Sequence, residues 1–213
     1  MARPKVKTYK EQKFDLTGLN GISDKQLEEH FALYAGYVKQ VNALNDELAK
    51  LRGEGKASGK NPEFAELTRR LGFEYDGMIL HEYYFSNLRR GAEPQPAAGS
   101  ALAAALIESF GSVDQWRSDF QAIGDMRGIG WVILFEDPVT DRLTNHWVSL
   151  HQEGIVAGFK PLLVMDVWEH AFMRDYKATE KAKYVEAFFR NVDWAMVQRR
   201  LQETQAIRPA AAA

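Results

Sequence analysis

Leu27, Phe31, Tyr34, Val38, Val41, Leu44, Leu48 and Leu51 recur at steps of three and four residues. That spacing lines one face of a helix with apolar side chains. Ser23-Asp24 ahead of the run is a helix-start signal, Glu28 and Glu29 follow in the first turns, and the run stops at Arg52-Gly53-Glu54-Gly55. After a loop over 57–62, a second helical stretch extends from about 62 to 87, with a break expected near Gly72. Two long helices joined by a short loop predict an antiparallel hairpin. Residues 1–20 lack any period and read as an irregular arm.

The Gly/Pro/Ala-rich stretch 91–100 is the clearest linker, and the domain boundary is placed there: 1–92 as a helical hairpin domain, 93–213 as an α/β domain. Residues 101–110 are helical, and Ser112 to Gln115 has capping-box spacing that opens another helix to about Met126. The pattern then changes to β-type runs at 131–135, 144–150 and 162–165, with turn-rich 137–142 between the first two. Their proximity suits antiparallel pairing in a small, about three-stranded sheet. Helices return from about Trp168 to the end, interrupted near 191–193, and the alanine-rich tail after Pro209 is expected to fray. The fold class is α+β.

Composition narrows the chemistry. An apolar fraction of 46% and an aromatic fraction of 12% supply a real core. A net charge of −2 gives no global attraction for nucleic acid or an anionic membrane. The chain has no cysteine, which removes disulfides, thiolate metal sites, iron–sulfur clusters and cysteine nucleophiles. The basic N-terminus has no apolar block behind it and no segment reads as a membrane span, so a cytoplasmic protein is expected.

Any metal must therefore take nitrogen and oxygen ligands. Asp166 and His170 stand four residues apart, directly after the apolar run that ends at Met165, and the chain has only five histidines. His30 lies on the first long helix and His81 on the second. Taken singly, each histidine also fits a core position, and Asp166 also fits a helix cap. If the two helices pack as a hairpin, His30 and His81 can face each other and meet the Asp166/His170 pair. Three nitrogens and one oxygen suit iron, manganese or zinc better than magnesium or calcium.

At these residues the chain resembles a known family, the iron/manganese superoxide dismutases, over about 25–201. Asp166-Val167-Trp168-Glu169-His170-Ala171 resembles that family's D-x-W-x-H-A signature. Tyr37-Val38 with Asn42, then 109–114, Gly128-Ile129-Gly130-Trp131 and Asn191-Val192-Asp193-Trp194 support it in the family's order. The resemblance implies a hairpin domain followed by an α/β domain. It implies one Fe or Mn ion per subunit on His30, His81, Asp166 and His170, with a solvent molecule completing the coordination. The implied reaction converts superoxide anion to dioxygen and hydrogen peroxide on a metal cycling between +2 and +3, which zinc cannot do. It further implies Tyr37 as the gateway phenol and Trp131 and Trp168 as dry walls. Glu169 becomes a bridge to His170 of the partner subunit in a homodimer or tetramer. Arg174 and Arg190 are candidate sources of local positive potential.

Three departures from the family pattern carry expectations of their own. Family members commonly have His-x-x-x-His before Tyr-Val; here Tyr34 is read in the place of the second histidine, and His30 to Tyr37 is one residue shorter than usual. One residue turns a helix by about 100°. Both side chains can face a metal only if the usual form carries a bulge that this chain lacks. His151, with Gln152 as runner-up, is read in place of the family's outer-sphere glutamine, and a histidine there is expected to titrate near neutral pH. His146 is read as structural. Phe172-Met173 stands where two tyrosines are common, and Phe85 where tryptophan is usual. Two other functions compete: a non-enzymatic structural or interaction protein of the same fold, and a metal hydrolase, which would need a carboxylate base near the open position.

Overall fold

The computed structural model of the chain describes residues 6–206. The first five residues of the basic N-terminal stretch and the alanine-rich tail after Pro209 lie outside the described residues. Helices α1 (Asp24–Gly53) and α2 (Pro62–Ser86) form the hairpin. The Ser23 side chain accepts from the Gln26 backbone N–H at 3.0 Å, and Asn61 does the same for Glu63 at 3.1 Å, with Pro62 as the first helical residue. These caps satisfy N–H groups that have no partner within their helix. The break expected at Gly72 does not occur. A glycine inside a helix costs only about 1 kcal/mol relative to alanine, which packing against α1 outweighs, so α2 continues through it.

After the linker come α3 (Ala101–Phe110) and α4 (Val113–Gly124), and Ser112 accepts from the Gln115 N–H at 3.0 Å as its spacing predicts. The sheet has three antiparallel strands, β1 (Gly130–Glu136), β2 (Leu143–Ser149) and β3 (Lys160–Asp166), in the order β2-β1-β3. Central β1 is buried along its whole length. Its register sets Trp131 opposite Val148 on one side and Asp166 on the other. The helices expected from Trp168 onward start later. Trp168 is extended (φ −65, ψ 152) and its N–H is held by Asp166 Oδ1 at 2.8 Å, so only a single 3-10 turn, Glu169–Ala171, follows at once. The chain then reaches α5 (Lys181–Phe189) and α6 (Trp194–Ala206).

One buried cluster runs from Leu16 to Leu201 and draws on residues from both sides of the linker. The arm is irregular, as expected, and is tied down. Tyr9 and Asn42 exchange two hydrogen bonds of 2.8 and 3.0 Å, and Phe14 packs on Phe31 and Phe85. Asn191 exchanges two more with the Asn20 backbone, at 2.8 and 2.9 Å.

Asn87, at the end of α2, is fully buried and acts as a substitute strand for β3. Its Oδ1 accepts from Val164 N–H at 3.0 Å, and its Nδ2 donates to Val164 O at 3.3 Å and Tyr84 O at 2.8 Å. Arg200 from α6 joins the same knot, donating to Asn87 Oδ1 at 3.3 Å and Leu162 O at 2.7 Å. Truncating Asn87 strips partners from several buried groups together. Asn87→Ala is expected to lose about 2–4 kcal/mol of stability, read as a lower midpoint in urea denaturation; a midpoint equal to wild type would refute this role.

Candidate metal centre

The end of β3, the 3-10 turn, α1 and α2 each deliver a side chain to one point. Asp166 Oδ2 lies 3.1 Å from Nε2 of His30, 3.1 Å from Nε2 of His170 and 3.7 Å from Nε2 of His81. One ligand atom from each of the four lies within 4.8 Å of all the others. Asp166 gets its aim from two backbone ties: Oδ1 accepts from Trp168 N–H, and the Asp166 carbonyl accepts from the buried Tyr184 hydroxyl at 2.7 Å. His30, His81 and Asp166 are wholly buried, whereas the His170 side chain keeps 20% exposure.

The histidine tautomers decide whether the cluster fits a metal. His81 Nδ1 meets the carbonyl of Gly77, one turn earlier on α2, at 2.5 Å. A carbonyl can only accept, so Nδ1 carries the proton and Nε2 presents a lone pair. That Nε2 is buried and has no hydrogen-bond partner among the described residues. A buried basic nitrogen aimed beside a carboxylate is the signature of a ligand atom, and the donor set fits iron or manganese.

Electrostatics agree. Burial alone would raise the Asp166 carboxyl, but the His170 and His30 imidazoles overcome it and hold the group well below the usual carboxylate range. Burial pushes His30 down and His81 well down, so their neutral, metal-binding forms persist at neutral pH.

A second layer stands over the cluster. Trp131 Nε1–H donates to His151 Nδ1 at 3.1 Å, which leaves the proton of neutral His151 on Nε2. Nε2 then donates to the Tyr37 oxygen at 2.7 Å. His151, and not Gln152, makes these two hydrogen bonds. Leu150, just before it, has φ +52, a left-handed conformation that costs a leucine about 1–2 kcal/mol and turns the next side chain inward. The Tyr37 ring lies 5.2 Å from that of His81, and α1 is α-helical throughout, with no bulge. Burial pushes the Tyr37 phenol up to about 12, so it stays protonated.

Gly77 is a residue the sequence reading missed. A Cβ there would come within 2.6 Å of Tyr37 Cδ1, so the glycine makes room for the ring. A glycine in a helix interior four residues before a candidate ligand was the available signal. Trp131 and Trp168 do wall the site, at 5.0 Å from the His81 ring and 5.5 Å from the His170 ring. Phe85 stands 4.9 Å from the His30 ring.

Tyr34 is buried with its ring 6.5 Å from that of His81, donating to Glu82 Oε1 at 2.8 Å and accepting from Gln12 N–H at 2.9 Å. Leu33, four residues before Tyr37 and hence on its face of the helix, lines a surface pocket with Glu169, His170 and Met173. Phe172 is buried against Tyr184, while Arg174 is half-exposed with Glu29 3.7 Å away and Arg190 packs at Gly21 and Tyr176. His146 contacts Thr144 at 2.8 Å.

Comparisons with known proteins agree on a family. Residues 98–200 match the model of the iron/manganese superoxide dismutase C-terminal domain. The chain is similar to an iron superoxide dismutase of Aquifex pyrophilus, 35% identical over 188 residues that cover 87% of this chain and 86% of the relative. It is 37% identical over 179 residues to an iron superoxide dismutase of Cupriavidus metallidurans, covering 83% and 86%. Against a manganese superoxide dismutase of Mycolicibacterium paratuberculosis it is 36% identical over 190 residues, covering 88% of each.

His151 does not titrate near neutrality as its residue type suggested. Burial pushes it down to about 4. Between that value and its ordinary 6.5, the unfolded chain binds a proton that the folded protein excludes. The stability it contributes is whole above about pH 6.5 and drains as pH falls toward 4, by on the order of 3 kcal/mol. Denaturation at pH 7 and pH 4 is expected to show a smaller acid loss in His151→Gln than in wild type. Equal losses would show that His151 titrates normally.

Proposed function

This chain belongs to the iron/manganese superoxide dismutase family, and from that membership and the geometry above we propose how its own residues carry the reaction. The protein is a superoxide dismutase of the Fe/Mn type, with one iron or manganese ion per subunit on His30, His81, Asp166 and His170. The buried, partnerless Nε2 of His81 beside the Asp166 carboxylate carries this reading. When bound, the ion supplies one-electron chemistry by passing between two oxidation states, turning superoxide into dioxygen and hydrogen peroxide.

The side chains prepare that chemistry. Asp166 offsets part of the cationic charge, and Gly77 O holds His81 in its ligating tautomer. Aromatic walls exclude water, which strengthens each electrostatic contact inside. Tyr37 and His151 act on the proton side of the reaction. Because His151 Nε2 donates to the Tyr37 oxygen, the Tyr37 O–H is left to donate into the site, and the high phenol pKa keeps that proton available. A hydrolase would want a free carboxylate base at the cluster, and the carboxylate there, Asp166, is itself a ligand. Wild type is expected to retain one Fe or Mn per subunit and remove superoxide, His81→Ala to lose metal and activity together, and Tyr37→Phe to keep the metal but slow at least several-fold. Full metal retention by wild type without dismutation would defeat the reading in favour of a structural protein.

The open edge of His170 supports a subunit arrangement. Glu169 is exposed beside it, and Leu33 and Met173, 42% and 47% exposed, flank the same pocket. A homodimer, alone or within a tetramer, would cover these apolar side chains and let Glu169 reach His170 of the partner subunit, fixing its ring. The division at 92/93 then gives each domain two ligands. Among the described residues no helix is long and apolar enough to cross a membrane; the lack of cysteine supports a cytoplasmic setting. Glu169→Ala is expected to dissociate, by sedimentation velocity, at concentrations where wild type stays dimeric. Unchanged association would remove the bridge.

A further inference from the structure

Gln26 is buried to 1% exposure in the first turn of α1, one helical turn before His30. Its side-chain amide reaches across to the segment that carries another ligand. Nε2 donates to the carbonyl of His170 at 2.6 Å, and Oε1 accepts from the Arg174 N–H at 3.0 Å. Met173 N–H bonds to Glu169 O and Tyr176 N–H to Phe172 O, both at 2.9 Å, with helical i to i+4 spacing. The carbonyl of 170 and the N–H of 174 are one of the two pairs that would make the rungs between these. The Gln26 amide spans them instead, one group to each end. A side-chain amide, with a donor and an acceptor on one planar group, is the chemistry this gap requires.

We propose that Gln26 is a positioning residue for the metal: by bridging residues 170 and 174 it locks the turn bearing His170 onto the helix bearing His30, so that ligands from both halves of the chain are aimed before the ion arrives. This rests on the iron or manganese site proposed above. The neighbouring contact anchors the same segment differently, since Ser23 N–H and Oγ both donate to the Asp175 carboxylate, each at 2.6 Å. That contact touches no ligand residue and serves as the control.

The experiment follows metal loss from loaded protein to excess EDTA, together with the visible absorption of the loaded site. Gln26→Leu removes both hydrogen bonds. Gln26→Glu keeps the shape and the acceptor for Arg174 but sets an oxygen against the His170 carbonyl. Both are expected to release metal about tenfold faster or more and to shift the absorption band. Asp175→Ala, which removes that anchor but leaves the Ser23 cap on Gln26 N–H in place, is expected to melt at a lower temperature with wild-type metal retention and spectrum. Wild-type retention in both Gln26 variants, or equally fast loss in Asp175→Ala, overturns the proposal. Should the Gln26 variants not fold, hydrogen exchange in metal-free wild type decides. An Arg174 amide protected there supports a clamp formed ahead of the metal, and free exchange overturns it. A wild type that never retains iron or manganese would instead sink the functional reading itself.

Discussion

A carboxylate with no exposed surface lies where four elements meet, and the surrounding structure exists to make it tolerable. An ionised carboxylate taken from water into a protein interior costs several kcal/mol unless charges and hydrogen bonds compensate. Asp166 receives Trp168 N–H on one oxygen and faces three imidazoles with the other. The His30 and His81 imidazoles are pushed toward neutrality by the same burial. The cluster thus gathers donors whose mutual demand is for a cation. Because the four come from α1, α2, the end of β3 and the turn after it, one ion would fasten the hairpin to the sheet.

The imidazoles are aimed in different ways. His81 is held by a hydrogen bond from its other nitrogen to a carbonyl in its own helix. His170 is held through its main chain by Gln26. His30 Nδ1 has no hydrogen-bond partner among the described residues, and its ring sits against Tyr84 and Phe85 at 5.1 and 4.9 Å, so packing supplies its orientation. Beyond them, Trp131, His151 and Tyr37 form a chain of two hydrogen bonds in which each donor is assigned by the one before. A neutral histidine in that chain has a single proton to give. It goes to Tyr37, which leaves the phenol as the group able to donate into the site.

Much of this was legible one residue at a time. The three-and-four step of Leu27 through Leu51 marked α1, β-type runs and turn chemistry marked the strands, and the D-x-W-x-H-A resemblance marked Asp166 and His170. The misreadings share a cause: each depended on a partner far away in sequence. Gly72 weakens a helix locally, yet α1 packed alongside carries α2 through it. The helix expected after Asp166 is delayed because that side chain takes the N–H of Trp168.

By itself the sequence determined the periods, the caps and the inventory of ligand-type residues, because those follow from side-chain chemistry within a few residues. Tertiary structure decided which nitrogen of each histidine faces inward, that His151 stays neutral, that Gly77 makes room for Tyr37, and that Gln26 spans the gap between residues 170 and 174. The His81 tautomer is set one turn away by Gly77 O, but the His151 tautomer and the Gln26 clamp are set by groups 20 to about 150 residues away along the chain, and a linear pattern does not encode distances through space.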